Sequence, residues 1–167
     1  YGQKTRLPPE LSLSRGDEPV KRRVDIAGGG GYDGTMARPQ IVLDTNVLVA
    51  ALRSRRGASH RLLSLVGAGH FEIAVSVPLV LEYEDVLSRP GLCLSPENAR
   101  DVVDYLCTIG NRHQVYFLWR PYLNDPKDDM VLELAVTAGC RYIVTFNERD
   151  FRDIERFGLQ AIRPIEF

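Results

Sequence analysis

The sequence is poor in the features that would mark a secreted, membrane-embedded or strongly polyanion-binding protein. Cysteines number only three in 167 residues, Cys93, Cys107 and Cys140, with no CxxC pair among them. That argues against a disulfide frame or a cysteine zinc site and fits reduced thiols in a cytoplasmic protein. No apolar run approaches the roughly 18 residues needed to cross a bilayer, so no membrane partner is expected. The N-terminus lacks the basic-then-apolar order of a signal peptide. Formal net charge is −1, so no global field draws the chain to nucleic acid or lipid, and any polyanionic partner has to be recognised locally. His60, His70 and His113 fall on no shared motif and are assigned no catalytic role. What is present, 44% hydrophobic and 26% charged residues, suits one soluble globular domain with a sizeable core.

Composition changes sharply near residue 38. Residues 1–38 hold Pro8, Pro9, Pro19 and the run "AGGGGYDGT", with few large apolar side chains. Such a segment buries too little surface to offset its ordering entropy and is expected to be a disordered extension ahead of a single domain over 39–167. It carries seven of the 21 basic and five of the 22 acidic residues, so the remainder has 14 and 17, net −3. From residue 40 a regular alternation begins. "QIVL" reads as a strand and residues 45–52 as a helix. After the loop "RSRRGAS", "HRLLSLVGAG" reads as an amphipathic helix and "FEIAVS" as a strand. "VPLVLEYEDVLSR" and "SPENARDVVDYLCTIG" are helices, the second capped by Ser95 with Pro96 in its first turn. "HQVYFLW" reads as a strand, "PKDDMVLELAVTAGC" as a helix, "RYIVTF" as a strand, "ERDFRDIERFG" as a short helix and "LQAIRPIEF" as a last strand. Strands alternating with helices indicate an α/β fold, a parallel sheet covered on both faces.

In such folds ligands bind beyond the carboxyl ends of the strands. Asp44 ends the first strand, in the aliphatic run "IVLDTNVLVAAL". A carboxylate amid aliphatics needs a partner, and the nearest basic residues, Arg38 and Arg53, lie at the far ends of the strand and helix. Glu82 sits inside the helix "VPLVLEYEDVL"; "NDPKDD" brings Asp125, Asp128 and Asp129 to the start of a later helix; "VTFNERDF" brings Thr145, Asn147 and Asp150 to another strand's end. Taken singly, a helical Glu is usually solvated, and "NDPKDD" usually turns and caps a chain. Together, four segments deliver oxygen ligands to one edge. Gathered carboxylates repel one another; a divalent cation removes the conflict, and hard oxygen ligands select Mg²⁺ or Mn²⁺.

"IVLDTNVLVAAL", "PLVLEYEDVLSRP" and "DPKDDMVLELAVTAGCRYIVTFNERDF" together resemble a PIN domain, and within that family the bacterial toxin components related to VapC. The resemblance covers residues 40 to about 166. It implies a three-layer α/β/α sandwich with a central parallel sheet, and a Mg²⁺- or Mn²⁺-dependent ribonuclease acting on single-stranded RNA. It also implies a homodimer held by a small antitoxin. Position by position, Asp44 matches the family's first acid, with Thr45 and Asn46 as its polar companions. Glu82 matches the second acid and Asp128 the third, with Asp129 assisting as a further metal ligand and Asp125 shaping the loop. The fourth acid departs from the pattern. Many relatives have Asp where Asn147 stands; here the T-x-N-x-x-D-F form gives that role to Asp150, with Thr145 and Asn147 supporting. An amide supplies no charge, which counts against a second tightly bound metal.

Backbone affinity for RNA has to come from outside the acids. Arg53, Arg55 and Arg56 of "RSRR" are the expected phosphate contacts, Arg149 and Arg152 weaker ones, and Tyr83, Phe146 or Trp119 could stack a base. The amphipathic helices at 60–66 and 78–87 could supply a dimer face, though core packing explains them equally well. A haloacid dehalogenase-type phosphatase also begins with an Asp after a strand, but needs a second Asp two residues on, where this chain has Asn46. A non-catalytic PIN-like module binding RNA or a partner is the alternative from a different class.

Overall fold

The computed structural model describes residues 38–92, 95–116 and 121–167. Five strands, β1 (Gln40–Leu43), β2 (Glu72–Val75), β3 (Asn111–Arg112), β4 (Tyr142–Val144) and β5 (Gln160–Ile162), form one parallel sheet in the order β3-β2-β1-β4-β5. Between them run the helices α1 (Thr45–Arg53), α2 (Ala58–Leu65), α3 (Val77–Leu87), α4 (Pro96–Ile109) and α5 (Asp129–Thr137). Helices α1 and α2 carry the chain from β1 to β2, α3 and α4 from β2 to β3, and α5 from β3 to β4. The expected α/β fold with a central parallel sheet is the one observed.

The central strand shows why. Ile41, Val42 and Leu43 are all buried, the continuous apolar pattern of a strand covered on both faces rather than the alternation of a half-exposed one. It is bonded to β2 on one side (Ile41 opposite Ile73) and to β4 on the other (Leu43 opposite Val144). Leu79, Leu106, Leu134, Ile143 and Ile154 are fully buried around it. No described helix is long and apolar enough to cross a membrane.

Local chemistry sets the element ends. Ser95 accepts a hydrogen bond from the Asn98 amide and Pro96 opens α4, as its sequence indicates. Gly110 ends α4 where a Cβ would stand 2.7 Å from the Leu106 carbonyl. Three expectations need correction. The strand expected over "HQVYFLW" forms earlier, at Asn111–Arg112; residues 113–116 are not strand, and 117–120 lie outside the described residues. The helix expected over "ERDFRDIERFG" is two 3-10 turns, Glu148–Asp150 and Ile154–Phe157, separated by Asp153 at φ 63°. Its buried residues, Phe151 and Ile154, are three apart, one turn of a 3-10 coil. The last strand stops at Ile162, ahead of Pro164, which has no N–H to offer a ladder. The expected extension, residues 1–38, falls outside the described residues except for Arg38.

Candidate active site

Strand order reverses at β1: the chain goes to β2 and β3 on one side and comes back to β4 on the other. That switch point opens a crevice beyond the carboxyl ends of β1 and β4, and Asp44 and Thr145 are the residues that follow these two strands. Asp44 is 6% exposed, its backbone N–H bonded to Val144 and its side chain capping α1. The Thr145 hydroxyl (2.6 Å) and the Asn46 amide (2.7 Å) both donate to its Oδ2. Oδ1 receives a long contact, 3.4 Å, from the Asn46 backbone N–H, and among the described residues no side chain donates to it. The Asn46 oxygen in turn accepts from the Phe146 N–H, and Thr145 Oγ1 accepts from the Asn147 N–H. Asn46 and Thr145 thus hold one rotamer of Asp44 and lock the two strand ends together. Burial pushes the Asp44 pKa up, while these hydrogen bonds pull it down.

The other acids arrive from separate elements. Glu82 projects from α3, half-buried, its pKa raised first by burial and then by the charge of Asp44. Asp128 precedes α5 as its cap residue, but its side chain makes no capping hydrogen bond. Its pKa is pushed up to about 7, chiefly by burial, then by the charges of Asp44, Asp125, Asp150 and Glu82. Asp150, half-buried in the first 3-10 turn, is therefore one of the charges felt at Asp128. Among the described residues no ion pair reaches any of these four acids.

Some candidates are placed elsewhere. Asp129, taken from the sequence as a metal ligand, is 1% exposed, and both its oxygens accept backbone N–H bonds, from Tyr122 (3.2 and 3.3 Å) and Leu123 (2.8 Å). It anchors the chain at 122–123. Asp125 accepts from the Lys127 N–H in a tight turn, the loop-shaping part given to it. Arg53, Arg55 and Arg56 are exposed, but α1 starts at Asp44 and runs away from it, leaving them about 13 Å down the helix rather than at the acids. Tyr83 is 2% exposed and cannot stack a base; its hydroxyl instead donates to the Leu43 carbonyl. Phe146 is exposed, and Trp119 lies outside the described residues. Leu62 and Leu63 of α2 are in the core, whereas Val77 and Leu81 of α3 are exposed. Sequence reasoning missed the Tyr83 tether, for which the sequence carried no signal.

Can these residues take a cation? Among the described residues no three Asp, Glu, His or Cys side chains stand close enough to enclose one as they are. Uncompensated carboxylates spread apart; burial first, and then the charges of neighbouring acids, raise the pKa values of Glu82 and Asp128. The Thr45 hydroxyl is near enough to Glu82 to favour its ionised form, yet meets no hydrogen-bond geometry and remains a buried oxygen without a partner. Hard oxygens only, mutually destabilised, with one orphaned hydroxyl between Asp44 and Glu82, fit a divalent cation of the Mg²⁺ or Mn²⁺ kind.

The sequence model of a family described as PIN domain matches residues 40–149. No curated protein matches the sequence. Among solved structures, a chain in the crystal structure of VapBC2 from Rickettsia felis bound to a DNA fragment from their promoter has a similar fold. It superposes with a TM-score of 0.54 at 16% identity, over 74% of this chain and 98% of that one.

Proposed function

Since the chain belongs to the PIN domain family, we propose that it is a Mg²⁺- or Mn²⁺-dependent endoribonuclease. In this reading it hydrolyses phosphodiester bonds of single-stranded RNA in the cytoplasm, as the toxin of a toxin–antitoxin pair. What supports the reading is that Asp44, Glu82, Asp128 and Asp150 come from four separate segments and that the charges of Asp44, Glu82 and Asp150 all bear on Asp128. A fold costs itself stability by such an arrangement unless the acids have work to do. Asp44 through Oδ1, Glu82 and Asp128 would hold the cation, with Asp150 beside them.

A bound cation would lower the pKa of a water molecule and neutralise charge on the scissile phosphate. The chain's own contribution is orientation and proton control. Thr145 and Asn46 keep Asp44 in one rotamer, and the Thr45 hydroxyl is available beside Glu82. Asp128, largely protonated below neutrality, has to give up its proton when a cation is bound. The acids repel the RNA backbone, so metal is needed for RNA binding as well as for cleavage.

The similar fold of a VapBC2 chain supports a partner protein for this chain, in keeping with an antitoxin. The exposed Val77 and Leu81 on α3 are the apolar pair on which a homodimer would close.

The test uses purified protein freed of any co-purifying partner, with an end-labelled single-stranded RNA in Mn²⁺, Mg²⁺ or EDTA, beside Asp44→Asn. Cutting that needs metal and is lost in Asp44→Asn is expected. An amide oxygen at the Oδ2 position keeps both short hydrogen bonds of Asp44, so the variant should fold. Absence of cutting by the unsubstituted protein, with metal still bound, would replace the reading by a PIN-like module that binds RNA or a partner.

A further inference from the structure

The nuclease reading leaves open what holds the substrate strand, since "RSRR" stands at the far end of α1. Elsewhere a concavity of about 470 Å³ is lined by Tyr122, Arg152, Asp153, Glu155 and Arg156. Two short tethers join it to the acids. The Tyr122 and Leu123 amides hang on Asp129, the neighbour of Asp128, and Arg152 is two residues beyond Asp150. The Arg156 guanidinium lies 4.6 Å from the Tyr122 ring centroid and 5.0 Å from that of Phe157. These two rings meet edge to face at 5.5 Å, and the Tyr122 hydroxyl donates to the Asp153 carbonyl. Arg156 thus rests against both rings. Both Arg152 and Arg156 are exposed, and among the described residues neither is in an ion pair.

Resting on the nuclease reading, we propose that this concavity binds the single-stranded RNA flanking the scissile bond, Arg152 and Arg156 meeting phosphates and the Arg156–Tyr122 stack carrying a base. Asp153 and Glu155 cancel the net charge of the lining, so it is no general anion sink and offers little to an acidic peptide. It offers guanidinium edges beside a flat aromatic surface, which matches a chain of alternating phosphates and bases.

The test measures equilibrium binding of a fluorescein-labelled single-stranded RNA of about twelve nucleotides to the protein with its acids intact, with Ca²⁺ in place of Mg²⁺, a larger and less polarising ion that takes the same oxygen ligands and activates water less; a gel run afterwards checks that the RNA is uncut. Adding Arg152→Ala and Arg156→Ala should weaken binding about tenfold or more. It should also lower the slope of log affinity against log salt by about 1.4, at roughly 0.7 per phosphate contact on a single strand. Arg156→Lys alone should keep the slope but lose affinity, because an ammonium does not stack as a guanidinium does. Unchanged affinity and slope in the double variant, or weaker binding at an unchanged slope, would overturn the subsite. If the unsubstituted protein cuts RNA, only the subsite falls. If it neither cuts nor binds RNA, the nuclease reading falls with it.

Discussion

Among the four acids, Asp128 is the one that burial and its acidic neighbours raise to about 7. Its carboxyl titrates at about 7 in the folded protein and near 4 in an unfolded chain. Between those values the folded state holds a proton the unfolded state has released. By linkage, stability therefore falls as pH rises from about 4 to about 7, and is level above. The metal-free protein is expected to melt at a lower temperature at about pH 8 than at about pH 5.5, and Asp128→Asn to flatten that dependence; a slope that survives the substitution would show that other groups set it. Asp44 was legible in the sequence because a lone carboxylate in an aliphatic run has few explanations. Asp128 and Asp129 were not separable there. Adjacent helical residues point about 100° apart, and only the fold decides that Asp129 turns under residues 122–123 while Asp128 keeps its side chain uncapped.

At the scale of elements, the hydroxyl of Tyr83 ties α3 to the last residue of β1, and so fixes Glu82, its neighbour on the helix, relative to Asp44. Tyr83→Phe leaves the Leu43 carbonyl without this donor and should cost about 1 kcal/mol in a denaturant melt. Metal-dependent cleavage should fall further than the folded fraction does, since the two acids lose their common anchor. A melt and a turnover both equal to those of the unsubstituted protein would show the hydroxyl to be idle. The helices and the inner strands were readable because their periodicity is dictated by burial. The edge strand β3 was not: Asn111 and Arg112 are both exposed and bear no apolar signature, so the aromatic run that follows drew the assignment away from them. The region after β4 misled for another reason, because Phe151 and Ile154 are apolar at a spacing that helices and 3-10 turns share, and the left-handed Asp153 leaves no trace in residue type.

For the whole molecule, β1 begins at Gln40, and among the described residues the sheet, the acids and their hydrogen-bond partners lie beyond it. Deleting residues 1–35 should therefore leave the melting temperature and the metal-dependent cleavage unchanged within error; a large loss of either would make that segment part of the working domain. The sheet has a further consequence for how the protein comes into being. Thr145 grips Asp44 across 101 residues of chain, and β4 closes the second edge of β1. Synthesis proceeds from the N-terminus, and contacts so distant in sequence form only once both ends exist. A nascent chain that has emerged as far as α5 already carries Asp44, Glu82 and Asp128, yet has neither the strand nor the hydroxyl that gathers them. If the protein cuts RNA, the ribosome translating it is spared until β4 and Thr145 have emerged.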